Sequence, residues 1–424
     1  MRSRLIRIVE LVVLASLASL SITSSTHIPT DEQDRARTYT RNIEFDYLAW
    51  SLQATHVKAL AATAGLPGYM DNATRRVVVS DYLQVTDKII QAEDALNRIY
   101  ADASYPDKDA AGATIQADLL RLHALQQQLS PLAEAALQTQ VTKVLSDLGL
   151  TSLGQAVPAV LFHTSAVPDA LIVSPRDVIR QSANISIEVG LPIEQQAMLE
   201  TRVEQALGVS ALVVPIGGVG IYPTMITRTT DRPWLVSTIA HEWTHNYLQL
   251  RPLGWLYDHS DELRTMNETT ADIVGSEISS EVMARFYSGM SAISSRGLSD
   301  AAEHDDASDP QEPEPPVFDF RAEMHETRIT VDSLLASGRI DQAEDYMERR
   351  RRLFVDNGYY LRRLNQANFA FYGAYADVPG GPAGDDPVGP AVRALRDHSG
   401  SLAEFLRRIA WLTSFEQLQQ AVGP

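Results

Sequence analysis

In the stretch STIAHEWTHNYLQL two histidines stand four residues apart, with a glutamate directly after the first: His241, Glu242 and His245. On an α-helix residues i and i+4 share a face, so both imidazoles can point at one metal ion. Glu242 is rotated by one position. It flanks such an ion rather than binding it, which is where a base for an activated water must sit. The chain has no cysteine. Disulfides, a thiol nucleophile and thiolate ligands are therefore excluded, and any transition-metal site must use His, Asp or Glu. The metal expected is Zn2+, one ion per chain, which needs a third protein ligand and an open fourth position.

The sequence downstream decides what the pattern means. A glycine three residues on and a histidine six residues on would mark the metzincins; those positions hold Leu248 and Arg251. Asp258 or Asp261 could supply the third ligand, and so could MNETTADIVGSEI, Met266 to Ile278. There Asn267, Glu268 and Asp272 read N-E-x-x-x-D, with Glu268 lying 268 − 245 = 23 positions after His245. The two motifs together resemble the gluzincin metallopeptidases, the thermolysin-like clan, over the span Asp231 to Asp272. The resemblance implies a zincin-like core in which His241, His245 and Glu268 hold zinc. It implies that Glu242 is the general base of peptide-bond hydrolysis and that Asp272 orients a ligand histidine. The physics agrees: Glu268 and Asp272 are i, i+4 on a helix expected to run to about Phe286. A carboxylate on an imidazole N–H fixes its tautomer and strengthens the ligand. In that clan the strand before the motif helix pairs with extended substrate, which implies such an edge at 209–226 and places Tyr222 near substrate. The G-x-M-E-N pattern of the large aminopeptidase family is missing, and GGVGIYPTMI stands in its place.

The tail carries a second resemblance. LNQANFAFYGAYADVP followed by GSLAEFLRRIAWL is similar to the C-terminus of a group of bacterial proteins predicted to be aminopeptidases. It implies an aminopeptidase and favours Tyr375 as the donor to the oxyanion. Tyr222, Tyr257, His259, His325 and Tyr372 are the other candidates for that role. Asn365 and Asn368 lie three apart on one helix face and could bind a substrate backbone; Arg328 could take a substrate carboxylate.

The surrounding chain must position these groups. Residues 35–148 read as helices without evident chemistry, with a third and a fourth pattern divided near Pro131. After Gly149 the texture changes to short β-branched runs: AVPAVLFHTS, ALIVSP, NISIEVG and ALVVPIGG. Pro192 to Gly208 is an intervening helix. ALVVPI, a Gly-Gly turn and VGIYPTMI read as a β-hairpin. Asp231 is a plausible N-cap for the motif helix, with Pro233 in its first turn and Pro252 and Gly254 closing it. Residues 298–317 hold seven acids and four prolines and read as an acidic linker; His304 belongs to that tract rather than to a site. Helices return over 318–424, two of them split at Gly338. The fold class expected is α+β, mainly helical: a catalytic core at 149–297 flanked by helical regions.

The bulk numbers limit the partners. With 424 residues and 45% hydrophobic content the chain can bury a sizeable core. A net charge of −18 argues against nucleic acid and leaves a peptide or protein substrate. Arg2, Arg4 and Arg7 precede an apolar run from Leu5 to Ile22, the pattern of an export signal or of a single N-terminal membrane anchor, over residues 1–26. The chain is therefore expected outside the cytoplasmic membrane. Two other functions fit the same pattern: hydrolysis of a non-peptide amide, and a membrane-tethered binding protein with an inactive zincin fold.

Overall fold

The structure is a computed structural model that describes residues 31–423, apart from 64–65, 102–103, 106, 153 and 289–317. The export segment and the acidic tract at 298–317, with His304, lie outside the described residues. The described chain is mainly helical α+β. Among the described residues no helix is long and apolar enough to cross a membrane.

The N-terminal part is helical, as the apolar periodicity predicts. It comprises α1 (Glu32–Arg37), α2 (Tyr47–Thr63), α3 (Asn72–Ala101) and α4 (Lys108–Asp147). The division at Pro131 is not there: α4 runs 40 residues with Pro131 inside it. A proline within a helix costs about 3 kcal/mol through its missing N–H and its clash with the preceding turn. Beyond it the helix buries Leu137, Val141, Val144 and Leu145 completely or nearly so. Each such side chain contributes about 1.5–3 kcal/mol, so packing outweighs the local penalty.

A short hairpin, β1 (Thr151–Ser152) and β2 (Gln155–Ala156), leads into β3 (Phe162–Thr164), β4 (Asp169–Pro175) and β5 (Ala183–Ile187). Helix α5 (Ile193–Leu207) ends on Gly208 at φ 68°, then β6 (Val209–Pro215) follows. Strands β5, β4 and β6 form one antiparallel sheet with β4 in the middle. One face, Leu171, Val173, Ile185 and Val213, packs on α5; the other, Ala170, Ile172, Leu212 and Val214, meets Ala367, Phe371 and Tyr375 from the C-terminal part. Burial on both faces explains the unbroken apolar run of these strands.

The expected hairpin through Gly217-Gly218 does not form. β6 pairs with β4, while β7 (Gly218–Val219) and β8 (Thr224–Ile226) belong to a second sheet with β3. The glycines serve close approach instead of a turn. A Cβ on Gly217 would lie 2.9 Å from the Trp234 ring, and one on Gly218 would lie 2.6 Å from Glu242 Oε1.

Next come α6 (Arg232–Leu248), the single turn α7 (Pro252–Trp255) and α8 (Asp261–Phe286). Asp231 caps α6 by accepting from the Trp234 N–H at 2.9 Å. Pro252 opens α7 rather than closing α6, which already ends at Leu248. The C-terminal part holds α9 (Phe320–Ala336), α10 (Ile340–Asp356), α11 (Gln366–Tyr372), α12 (Val388–Asp397), α13 (Leu402–Ile409) and α14 (Phe415–Val422). Gly338 separates α9 from α10 at φ 72°. The largest apolar core joins all three parts: Val141 and Leu145 from α4, Ile239 and Trp243 from α6, Met266 and Ile278 from α8, and Leu395 and Phe405 from the tail.

Candidate metal centre

Helices α6 and α8 lie against each other in opposite directions. Asn267 meets His245, Asp272 meets His241, and Ser279 bonds the Pro233 carbonyl. Gly275 makes the approach possible, since a Cβ there would stand 2.8 Å from the Ser237 carbonyl oxygen. The long, mostly buried α8 thus brings a carboxylate to both motif histidines.

The three candidate ligands converge on one point. His241 Nε2 and His245 Nε2 are 3.0 Å apart, and Glu268 Oε2 stands 3.5 Å from each. His241, His245 and Glu268 are the group among the described residues that could hold a metal ion. The other ring nitrogens are engaged. His241 Nδ1 donates to Asp272 Oδ1 at 2.8 Å, and His245 Nδ1 donates to Asn267 Oδ1 at 2.8 Å. When each neutral ring carries its proton on Nδ1, two Nε2 lone pairs and a carboxylate oxygen face one another, three acceptors that a cation or added protons would satisfy.

The fit to a cation is therefore good on chemical grounds. Glu268 is 4% exposed, and its Oε2 is a buried oxygen with no hydrogen-bond partner. Left empty of positive charge, such an atom costs its full desolvation penalty. Two imidazoles and one carboxylate suit zinc, and bonds of about 2.0–2.2 Å span separations of this size. Glu242, Glu268 and Asp272 also place three carboxylates around two imidazoles, an excess of negative charge that a divalent cation neutralises.

The protonation preferences follow from burial and these neighbours. Burial opposes charge on His241, but Asp272 and Glu268 override it and hold its pKa well above the ordinary value. His245 is raised in the same way against burial, chiefly by Glu268. Burial alone would raise Glu268; the two histidines pull it well below the carboxylate range instead. Glu242 goes the other way, pushed up by burial beyond what the histidines recover. Tyr257 and Tyr375 are pushed well above the usual phenol value, first by burial and then by Glu268, so both keep their protons.

A cavity of about 730 Å³ opens over this cluster. Its walls come from distant parts of the chain: Tyr47 from α2, the Gly217–Ile221 stretch, Trp234 from α6, and Phe371, Tyr372 and Tyr375 from the tail. Tyr375 stacks on His241 with ring centroids 6.3 Å apart. Asp258 lines this cavity, whereas His259 and Asp261 line an adjoining one.

Other expected site residues lie elsewhere. Tyr222 is 47% exposed and outside the cavity lining. Asn365 and Asn368 are outside it too. Asn365 caps α11 by accepting from the Asn368 N–H at 3.0 Å and donates to the Ala211 carbonyl at 3.0 Å, which ties α11 to β6. His325 faces Asp385 at 3.6 Å, and Arg328 is engaged by Asp332 and the Pro382 carbonyl. Sequence reasoning named Asn267 in the motif but gave it no role; the structure sets it against His245 Nδ1. The same reasoning missed the purpose of Gly218 and Gly220. A Cβ at Gly220 would lie 2.9 Å from His245 Cβ, and the glycine spacing was the available signal.

No family model, no curated protein and no solved structure matches this chain.

Proposed function

We propose that the protein is a zinc metallopeptidase of gluzincin type that acts outside the cytoplasmic membrane, with aminopeptidase activity as its narrower form. One observation carries the reading: a buried, partnerless Glu268 oxygen faces two free imidazole nitrogens, with the Glu242 carboxylate beside them. A zinc ion held by His241, His245 and Glu268 would supply Lewis acidity toward water and toward a substrate carbonyl.

The residues of the chain divide the remaining work. Glu242 takes a proton from water onto its carboxylate and passes it to the departing amine. Burial raises its pKa, which suits a group that must both accept and release a proton. Asp272 and Asn267 hold each Nδ1 as the protonated nitrogen and so leave each Nε2 free to bind. Tyr375 is a protonated donor in the cavity wall, placed for charge developing on a substrate oxygen. Gly217, Gly218 and Gly220 lie close against α6, so the Gly217–Ile221 stretch, with Val219 and Ile221 as its side chains, offers a low rim along which an extended peptide can lie. The extracytoplasmic placement rests on the arginine-led apolar segment at residues 1–26.

The test is a peptide-library digest by the full chain, read by mass spectrometry with and without a chelator. Cleavage that a chelator removes and zinc restores is the expected result. Loss of single amino-terminal residues would mark the aminopeptidase form. A zinc-loaded chain that cleaves nothing in the library would refute the peptidase reading.

A further inference from the structure

The loop between the two ligand-bearing helices is rigidly specified, and it delivers one side chain to the centre. After α6 the chain turns back over the end of that helix. Gly254 is required there, because a Cβ would lie 2.2 Å from both the carbonyl carbon and the oxygen of Leu248. Leu253 is fully buried; its N–H donates to the Ala410 carbonyl at 3.2 Å, and its own carbonyl accepts from Asn267 Nδ2 at 3.3 Å. Trp255 Nε1 donates to the Gln249 carbonyl at 2.8 Å. Three residues past Gly254 stands Tyr257, its ring edge-on to His245 with centroids 6.2 Å apart.

The Tyr257 hydroxyl donates to Glu268 Oε1. The two oxygens of that carboxylate are thus unlike: Oε1 is engaged by a phenol, and Oε2 faces the histidines with no partner. A carboxylate with both oxygens free can bind a metal through either one or both. We propose that Tyr257 fixes Glu268 as a one-oxygen ligand and so keeps a coordination position of the metal open for water and substrate. The inference rests on the zinc reading above. It makes Tyr257 a positioning residue that acts through Glu268. It also separates Tyr257 from Tyr375, the cavity tyrosine assigned above to the substrate.

The test compares Tyr257→Phe with Tyr375→Phe and the wild-type full chain, each loaded with Co2+ and, separately, Zn2+. Tyr257→Phe is expected to lower zinc affinity about tenfold in competition with a chromophoric chelator. Its Co2+ visible absorption should weaken as a second carboxylate oxygen enters and the coordination number rises. Tyr375→Phe should leave affinity and spectrum at wild-type values while lowering turnover. A Tyr257→Phe chain with the wild-type spectrum and zinc affinity overturns the inference and leaves the zinc reading standing. A wild-type chain that binds neither metal overturns both. Should Tyr257→Phe fail to fold, a structure of the zinc-loaded wild type decides: one Glu268 oxygen on the metal supports the proposal, and two refute it.

Discussion

Two buried glutamates in this molecule meet their surroundings in opposite ways. Glu134 on α4 is 1% exposed, and its carboxylate is fully matched. It accepts from Lys58 Nζ, from Ser130 Oγ at 3.0 Å, from the Thr164 N–H at 2.9 Å, and lies 3.1 Å from His163 Nδ1. Glu268 on α8 is buried to a similar degree, yet one of its oxygens has nothing to bond. Burial and a histidine neighbour therefore do not distinguish a structural carboxylate from a functional one. The completeness of the hydrogen bonding does. Around Glu134 the protein has finished the cluster by itself, tying α2, α4 and β3 together. Around Glu268 it has stopped one partner short.

The largest expected effect tests the unfinished side. Glu242→Gln keeps the ligand set but removes the base, so turnover should fall about 10²- to 10⁴-fold with zinc content unchanged. Turnover equal to wild type, with metal content measured alongside, would show that Glu242 carries no proton.

The finished side should yield to Glu134→Ala. Removing one partner leaves Lys58, only 11% exposed, as a buried unpaired charge. The expected cost is about 3–5 kcal/mol in denaturant unfolding. Glu268→Ala in chelator-treated protein should cost less, because it removes an incompletely bonded group. The reverse order of the two losses would break the comparison.

Smaller still is the effect of a methyl group. Gly218→Ala puts a Cβ 2.6 Å from Glu242 Oε1 and must displace the base. A misplacement of this kind costs about 100-fold in kcat, with zinc affinity retained. An unaltered kcat would mean that the backbone yields instead of the carboxylate.

The last test is pH. Burial would raise Glu134, but Lys58 and His163 overcome it and hold the group at about 2, below its ordinary 4.5. A depressed carboxylate stabilises the fold above its ordinary pKa and loses that contribution as the group is protonated. Stability from this cluster should thus be intact above pH 4.5 and fade as pH falls toward about 2. Urea midpoints taken across that window should decline in the wild type and less steeply in Glu134→Gln. Parallel curves would remove Glu134 from the acid limb.

What the sequence made legible was local. His241, Glu242, His245, Glu268 and Asp272 sit on two helices whose caps, Asp231 and Ser260, are themselves short-range signals. Spacing of i, i+4 puts each pair on one face of its helix, and the packing of α6 on α8 at Gly275 then brings the three candidate ligand atoms and Asp272 together. Errors arose where distant packing overrides a local rule. Pro131 reads as a helix break, but the core on both sides of it holds α4 together. Gly217-Gly218 reads as a turn, but β4 claims β6 and the glycines are needed against α6. The bond from Tyr257, named only as a candidate oxyanion donor, to Glu268 and the Glu134 cluster were not legible for the same reason. Their partners are 11 residues away across a folded loop in one case, and 76 and 29 residues away in the other.

The composite wall of the cavity has a consequence for how the molecule comes into being. Chains are made from the amino end, so His241, His245 and Glu268 emerge first, and Tyr375 follows 375 − 268 = 107 residues later. Phe371 and Tyr372 arrive with it, on the helix whose Ala367 and Phe371 pack on the β4–β6 sheet. The three residues that could hold a metal are thus made before the cavity over them can be closed. The same layout sets a limit for anyone shortening the gene: a fragment covering 149–297 would contain His241, His245 and Glu268 but lack the cavity walls supplied by Tyr47, Phe371, Tyr372 and Tyr375.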